Sequence, residues 1–251
     1  MRLPEIKGII ERRMLVNFRT SPAVAQAVLP APFRPQLHRG YAIVGICLIR
    51  LGRMRPAGAP SVFGLSSENA AHRIAVEWTD EQGELRQGVY VPRRDTNSWI
   101  NSTVGGRLFP GQQHRADFQV TDASGRIDFS MLSRDGAVSI RLRAAEHDAF
   151  PPKSCFRSLD ESSRYFEGGS LGYSLTRHPG RYDGLRLLTD EWQVRALRVE
   201  EVASSYFSDR ARFPTGSIEF DHALLMRNVA HSWRAAPTVS GAPANGEPQT
   251  L

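Results

Sequence analysis

The chain has 251 residues, of which 41% are hydrophobic and 23% charged, a composition typical of a globular protein. The net charge of +6 would suit nucleic acid, but the arginines alternate with acidic residues instead of forming a basic cluster. No apolar segment approaches the roughly 20 residues that a membrane helix needs. We therefore expect no nucleic acid and no membrane as partners. Two cysteines and the lack of a signal peptide predict free thiols and a cytoplasmic location.

Extended segments around one short helix are predicted in the first part of the chain. Residues 12–20 form a strand, and Ser21 caps the helix that follows. Residues 41–51 are apolar at both alternating sets of positions, which is typical of a strand covered on both faces. Residues 72–78 alternate between apolar and polar side chains and pair with residues 88–92 across a polar turn.

The second part of the chain continues this strand-rich pattern. A short helix within residues 95–108, capped by Asp95 or Asn97, precedes a three-stranded antiparallel meander over residues 116–142. A helix capped by Asp160 follows at residues 160–167, and two further strands are predicted at residues 184–188 and 194–203. These elements predict a β-rich domain with a few short helices.

The C-terminal part of the chain allows two interpretations. Apolar residues within 223–233 recur at helical spacing, although a strand also fits. Residues 235–251 are small, polar and rich in proline and glycine, and are predicted to be disordered. No repeat or linker divides the remainder, so we expect a single domain over residues 1–234.

Metal and nucleotide motifs are not found in the sequence. The seven histidines do not form H-x-H, H-E-x-x-H or Cys/His patterns with ligand spacing. Neither G-x-G-x-x-G nor a P-loop occurs. We therefore predict no metal and no cofactor.

Residues 168–172 match G-x-S-x-G, with Ser170 as the serine. A nucleophile elbow requires a buried strand before this serine and a helix after it. Here a polar segment precedes it and an extended one follows, which favours a loop, and a serine hydrolase is the third hypothesis. Its base and acid would come from five residues: His178, His222, His231, Asp183 and Asp221.

Glu68 is the carboxylate with most chemical promise, because it begins a strand among small residues and could act as an acid or base. Its candidate neighbours are His72, Arg73, Tyr90, Arg107 and His114. Arg12 or Arg13 could bind an anionic group through two parallel hydrogen bonds. The simpler interpretation is that Glu68 caps a turn and that the arginines are exposed, and the residues alone favour it.

The order of short motifs resembles the acetoacetate decarboxylase-like superfamily, in an uncharacterised bacterial branch. RRMLVNFRT, AVAQAVLP, YAIVGICLI, SSEN, GVYVP and GGRLFP carry this resemblance over roughly residues 12–142. It implies an α+β fold, a closed antiparallel β-cone or barrel around a pocket with a few short helices. It also implies that Glu68 is similar to a pocket glutamate of the family and Arg12 to a pocket arginine.

The family decarboxylases use a pocket lysine to form a Schiff base, with a second lysine beside it. Here Gly111-Gln112 or His114-Arg115 stands where that pair belongs. Arginine stays protonated and forms no imine at working pH. The resemblance therefore implies chemistry without an imine.

Our leading hypothesis is a pocket for a small carbonyl or carboxylate compound, used for acid/base chemistry such as enolisation, aldol-type cleavage, hydration or cyclisation. Two residues would be catalytic, Glu68 and His114, and four would bind substrate: Arg12, Asn69, Tyr90 and Arg107. The second hypothesis is a ligand-binding module without catalysis. Exposed strand edges are also consistent with a homodimer.

Overall fold

The computed structural model describes residues 5–58, 60, 64–98, 111–176 and 178–241. Strands dominate, and in chain order they are β1 (Ile6–Thr20), β2 (Arg34–Pro35), β3 (Leu37–His38), β4 (Tyr41–Pro56), β5 (Leu65–Thr79), β6 (Leu85–Thr96), β7 (Gln113–Ala123), β8 (Arg126–Ser133), β9 (Ser139–His147), β10 (Leu171–Leu175), β11 (Arg181–Thr189), β12 (Arg195–Ser204) and β13 (Glu219–Ser240). The helices of the described residues are α1 (Pro22–Ala27), α2 (Leu159–Gly168) and α3 (Ser205–Ser208). None of these helices has the length and apolar character needed to span a membrane.

The strands form one 13-stranded sheet that closes on itself in two rings. The first ring runs β6-β7-β8-β9-β12-β13-β1-β4-β5 and closes where β5 pairs with β6. The second ring leaves β6 through β10 and β11 and rejoins at β13, so both rings share β13, β1, β4, β5 and β6. The predicted closed β fold with a few short helices is thus confirmed. It is branched, however, and β6 pairs in parallel with both β7 and β10.

Local sequence signals explain several element boundaries. The Ser21 side chain accepts a hydrogen bond from the Val24 amide, and proline opens α1 as predicted. Gly83 adopts φ +80° in the turn between β5 and β6, a conformation in which glycine has no steric penalty. Helix α2 is capped by Ser158 and not by Asp160, which lies in its first turn.

The structure decides one sequence prediction and corrects two others. Residues 223–233, which fit a helix or a strand, belong to strand β13. Asp95 lies inside β6 and caps no helix there, whereas residues 99–108 of the predicted helix lie outside the described residues. Residues 235–240, predicted to be disordered, continue β13 and pair with β11. Residues 242–251 lie outside the described residues.

The shared strands are buried on both faces, as the apolar pattern of residues 41–51 predicts. One face packs into the largest core cluster through Met14, Val16 and Ile46. The opposite face packs against α2 through Leu15 and Ile43. Because successive side chains of a strand point to opposite faces, neighbouring residues of β1 enter different environments. Side chains of β1 can therefore line cavities on both faces of the sheet.

Candidate functional site

Two cavities are lined by neighbouring residues of β1, β4 and β5. The Glu68 cavity has a volume of about 520 Å³ and is lined by Glu11, Arg12, Arg50, Glu68, Asn97, Phe118, Val120 and Asp122. The Arg13 cavity is much smaller, about 80 Å³, and is lined by Arg13, Cys47, Ile49, Leu51, Asn69, Ala70, Ala71, Arg94, Asp95, Gln113, Leu185 and Trp233. Arg12 and Arg13 thus enter different cavities, as do Glu68 and Asn69, because adjacent residues alternate across the sheet.

Ion pairs fill the wall of the Glu68 cavity. Arg12 Nη2 lies 2.8 Å from Glu68 Oε2, and both side chains are almost fully buried. Arg50 Nη1 lies 3.2 Å from the other carboxylate oxygen of Glu68. The second terminal nitrogen of Arg12 lies 3.4 Å from Asp122, which also accepts two hydrogen bonds from Arg227. A ligand carboxylate would therefore have to displace Glu68 or Asp122 from Arg12.

The charge network also favours the ionised form of the Asp122 carboxyl group. Hydrogen bonds from Arg227 hold the pKa of Asp122 below its usual range. Arg50 extends the network outward, since its Nε lies 2.7 Å from Glu11 Oε2. Positively and negatively charged side chains alternate along this network of contacts. The wall of this cavity is therefore electrostatically balanced.

The Arg13 cavity differs in having cations without carboxylate partners. Arg13 donates from Nε to Cys47 Sγ at 3.4 Å, and its guanidinium stacks 5.5 Å from the Trp192 ring centroid. Arg94 donates from Nε to Ser174 Oγ at 2.9 Å. Burial lowers the pKa of Arg94 to about 10, so it remains protonated at neutral pH. Within the described part of the chain, neither guanidinium forms an ion pair with a carboxylate.

Further donors converge on this cavity. Arg13 Nη1 and Trp233 Nε1 are buried and have no hydrogen-bond partner among the described residues. The Asn69 side chain is fixed, because Nδ2 donates to Ser67 Oγ at 3.0 Å and Oδ1 accepts from Thr96 Oγ1 at 2.8 Å. Buried donors without partners are costly, and a bound acceptor would satisfy them.

Asp95 does not neutralise these cations, although it lines the same cavity. Its carboxylate accepts hydrogen bonds from Arg93 Nη2 at 2.8 Å and Nε at 3.1 Å. Neighbouring residues of β6 alternate across the sheet, so the Asp95 and Arg94 side chains point to opposite faces. Burial raises the pKa of Asp95 above its ordinary value. The side chains that enter the Arg13 cavity are thus basic, amide, thiol and apolar.

The predicted site residues do not form one site. Glu68 and Arg12 meet, whereas Asn69 enters the Arg13 cavity. Tyr90 packs in the aromatic core 5.7 Å from Phe33 and lines neither of these two cavities. His114 also lines neither cavity: its Nδ1 lies 3.2 Å from Asp135 Oδ2, and burial lowers its pKa. The sixth residue, Arg107, lies outside the described residues.

Most residues of the Arg13 cavity are absent from the sequence-based prediction. Arg13 enters that prediction only as an alternative to Arg12, and Arg94, Gln113 and Trp233 do not enter it. The available signal is alternation, since Arg13, Cys47 and Asn69 lie at positions of the strands that face away from Arg12 and Glu68. That signal requires the strand pairing to be known.

The serine hydrolase hypothesis gains no support at Ser170. This residue lies just before β10, its carbonyl accepts a hydrogen bond from the Leu187 amide, and no histidine side chain within the described ranges contacts it. A hydrogen-bonded serine, histidine and aspartate occur elsewhere. Ser162 Oγ lies 2.7 Å from His222 Nε2, and His222 Nδ1 lies 2.5 Å from Asp221 Oδ1. All three are buried, with at most 5% exposure, so they connect α2 to β13 and offer no access to substrate.

The chain contains two lysines, Lys7 and Lys153. Both are exposed, and neither lines the Glu68 cavity or the Arg13 cavity. Lys153 lies in the segment before α2, where its carbonyl accepts a hydrogen bond from Arg19.

Comparison with known proteins places this architecture in a family. Residues 10–226 match DUF2071, whose description is "uncharacterized conserved protein". The chain belongs to this family. No curated protein matches the sequence.

Solved structures reproduce the fold of this DUF2071 chain. The enduracididine biosynthesis enzyme MppR, with HEPES bound, has a TM-score of 0.59 at 10% identity and covers 96% of this chain and 89% of its own. Acetoacetate decarboxylase from Legionella pneumophila has a TM-score of 0.58 at 10% identity, with coverages of 94% and 88%. An acetoacetate decarboxylase-like enzyme from Sphingomonas wittichii RW1 has a TM-score of 0.54 at 15% identity, with coverages of 97% and 92%. The predicted acetoacetate decarboxylase-like fold is confirmed, and identities this low inform on the fold alone.

Proposed function

We propose that the Arg13 cavity binds a small carboxylate that carries a neighbouring carbonyl group, that is, a 2-oxo acid. The observation behind this proposal is the pair of cations, Arg13 and Arg94, that enter one small cavity and have no carboxylate partner among the described residues. Guanidinium groups recognise carboxylates through charge-assisted hydrogen bonds, which are the strongest polar contacts available to such a ligand.

The size of the cavity and its other hydrogen-bond donors favour the small members of this class of ligand. A volume of about 80 Å³ admits a ligand of only a few heavy atoms. Once the guanidinium groups hold the carboxylate, the buried indole N–H of Trp233 and the amide of Gln113, which line the same cavity, would donate to the carbonyl oxygen. Donors at that oxygen stabilise the negative charge that develops on it during enolisation, aldol-type reaction or hydration.

The fold relatives agree with a small oxo acid as ligand. MppR has been solved with pyruvate, and also with the condensation product of pyruvate and imidazole 4-carboxaldehyde. In this chain neither lysine lines the cavity, so we propose chemistry that does not pass through an imine: the cationic and neutral donors stabilise the enolate, and solvent water takes the proton.

The Glu68 cavity supports a second candidate. It is open, and the apolar side chains of Phe118 and Val120 line it beside the Glu68 carboxylate. Glu68 would act there as an acid or base, and Arg12 would orient the ligand, after the ligand displaces a contact within the ion-pair network. The larger volume suits a larger carbonyl compound than pyruvate.

Titration calorimetry with pyruvate tests the two sites against each other. Arg13→Gln and Arg94→Gln should each weaken binding by roughly ten-fold or more, the cost of a lost hydrogen bond to a charged group. Glu68→Gln should leave the affinity unchanged. Arg134→Gln is the matched control, because this exposed arginine pairs with exposed Asp117 and lines none of the cavities described above. Loss of binding in Glu68→Gln with normal binding in Arg13→Gln would assign the ligand to the Glu68 cavity instead.

Catalysis is distinguished from simple binding by proton exchange. If the cavity promotes enolisation, the methyl protons of pyruvate exchange with D₂O faster with wild-type protein than with Arg13→Gln, as followed by NMR. Saturable binding with no acceleration of exchange, and no turnover of added aldehydes, would establish the ligand-binding module instead.

A further inference from the structure

A third cavity lies where β1, β4, β11 and β13 meet, and we call it the His231 cavity. Its volume is about 520 Å³. It shares no lining residue with the Arg13 cavity or the Glu68 cavity. The charged groups around it are Glu5, Lys7, Arg53, Arg55, Asp190 and Arg234. No local sequence pattern indicates this grouping, because these residues come from four different strands or their ends.

Cations outnumber anions around this cavity. Arg234 is compensated, since its Nη2 lies 3.2 Å from Glu5 Oε1. Arg55 donates from Nη1 to the Arg53 carbonyl at 2.9 Å, which holds the two arginines together. Within the described part of the chain, Lys7 and Arg53 form no ion pair. The cavity therefore presents an excess of positive charge on a concave surface.

His231 gives an independent indication of a ligand. It lines the cavity with only 4% of its surface exposed, and both ring nitrogens are buried without a hydrogen-bond partner among the described residues. Backbone groups of Gly8 and Val229 lie beside the ring, but neither reaches hydrogen-bond geometry. Burial lowers the pKa of His231 to about 4, so at neutral pH the ring offers one donor and one acceptor. An unpaired buried ring of this kind is expected to meet a ligand or an ordered water.

We propose that the His231 cavity binds a small phosphorylated compound. A phosphate monoester carries close to two negative charges and three acceptor oxygens, which matches a lysine, two neighbouring guanidinium groups and an imidazole N–H. A monocarboxylate needs fewer cations, and the volume exceeds that of the Arg13 cavity several-fold. The cations surround a cavity instead of following a groove, which favours a compact anion over a nucleic-acid strand. This site is independent of the function proposed for the Arg13 cavity.

Inorganic phosphate is the probe, titrated at constant ionic strength with chloride as the competing anion. The readouts are calorimetry and the ring nitrogen shifts of His231 in ¹⁵N-labelled protein. Wild type should bind phosphate saturably, with a shift of the His231 ring. Arg53→Gln should weaken binding by roughly ten-fold, because it removes a charged donor. Arg53 is exposed, so this variant should retain the fold.

Two control variants test whether phosphate binding is specific to the His231 cavity. Arg134→Gln removes one surface charge elsewhere, and Arg126→Gln removes another, which pairs with Glu200, so both should bind phosphate as wild type does. The proposal fails if phosphate does not saturate, if His231 does not respond, or if Arg134→Gln weakens binding as much as Arg53→Gln. It also fails if a single-stranded oligonucleotide binds more tightly than phosphate through Arg53, since the partner would then be a nucleic acid.

Discussion

Arg12 and Arg13 are adjacent in sequence, yet their side chains have very different surroundings in the structure. Arg12 is enclosed by carboxylates on the side of the Glu68 cavity, whereas Arg13 has a thiol sulfur and an aromatic ring as neighbours on the other side. The first arrangement resembles a structural ion-pair network, and the second leaves charge available to a ligand. In a sheet buried on both faces, a residue's role thus depends on which face it enters more than on its residue type.

The largest effect expected from this comparison is on stability. Arg12→Met removes the nearest cation from buried Glu68 and leaves Asp122 with Arg227 alone, and it should lower the free energy of unfolding by about 3 kcal/mol. Arg13→Met deprives no carboxylate of a partner, so its cost should stay within about 1 kcal/mol. Urea unfolding of the two variants measures the difference. Equal losses would show that the two arginines are equivalent and would remove the basis of the comparison.

A double variant separates the lost ion pair from lost packing. Arg12→Met combined with Glu68→Leu removes both charges, and should recover most of the stability that Arg12→Met loses, because no uncompensated carboxylate remains. If the double variant is less stable than either single variant, packing and not charge determines the effect.

The next largest expected effect is a loss of stability at low pH, and it should involve a carboxylate of the Glu68 cavity. The folded-state pKa of Asp122 lies below its ordinary value of 3.8, so its contribution to stability is present above that pH and is lost as the pH falls through the folded-state value. Asp122 is partly exposed, which limits the contribution to about 1 kcal/mol. Asp122→Asn should reduce the stability difference between pH 6 and pH 3 measured by urea unfolding. Arg94→Gln, on the other face, should not reduce it.

Chemical modification gives the smallest perturbation, because it need not change stability at all. Cys47 lines the Arg13 cavity, whereas Cys155 is buried and its pKa is raised to about 12. Iodoacetamide should therefore modify Cys47 before Cys155, as followed by mass spectrometry. Pyruvate should slow modification of Cys47 in wild type but not in Arg13→Gln. Modification of Cys47 at the same rate with and without pyruvate would place the ligand elsewhere.

Periodicity is sufficient to predict most strands, including β4, which is covered on both faces, but it leaves β13 ambiguous. Residues 223–226 of β13 are all apolar and buried, without alternation, so they fit a helix equally well. Strand β10 is not predicted because its surroundings contain a glycine-rich segment that favours a loop. Closure into two rings depends on pairings between distant strands, which no local pattern records.

The site is harder to predict than the fold, because irregular strand pairing changes which residues share a face. The β1–β4 pairing shifts register between Ile10 and Arg12, next to the two arginines. The β5–β6 pairing shifts between His72 and Ile74, close to the predicted neighbours of Glu68. A shift of one residue exchanges the two faces of a strand. The sequence could therefore predict Glu68 with Arg12, but not the placement of Asn69, Tyr90 and Arg94.

The closure of both rings through β13 has a consequence for how the protein is made. β13 pairs with β1, the first strand, and it follows every other described strand in the chain. During synthesis β1 and β4 can associate early, but neither ring can close before Glu219–Ser240 has left the ribosome. One edge of β1 therefore stays unpaired until β13 has been synthesised, and an unpaired strand edge is a site of aggregation in an incompletely folded chain.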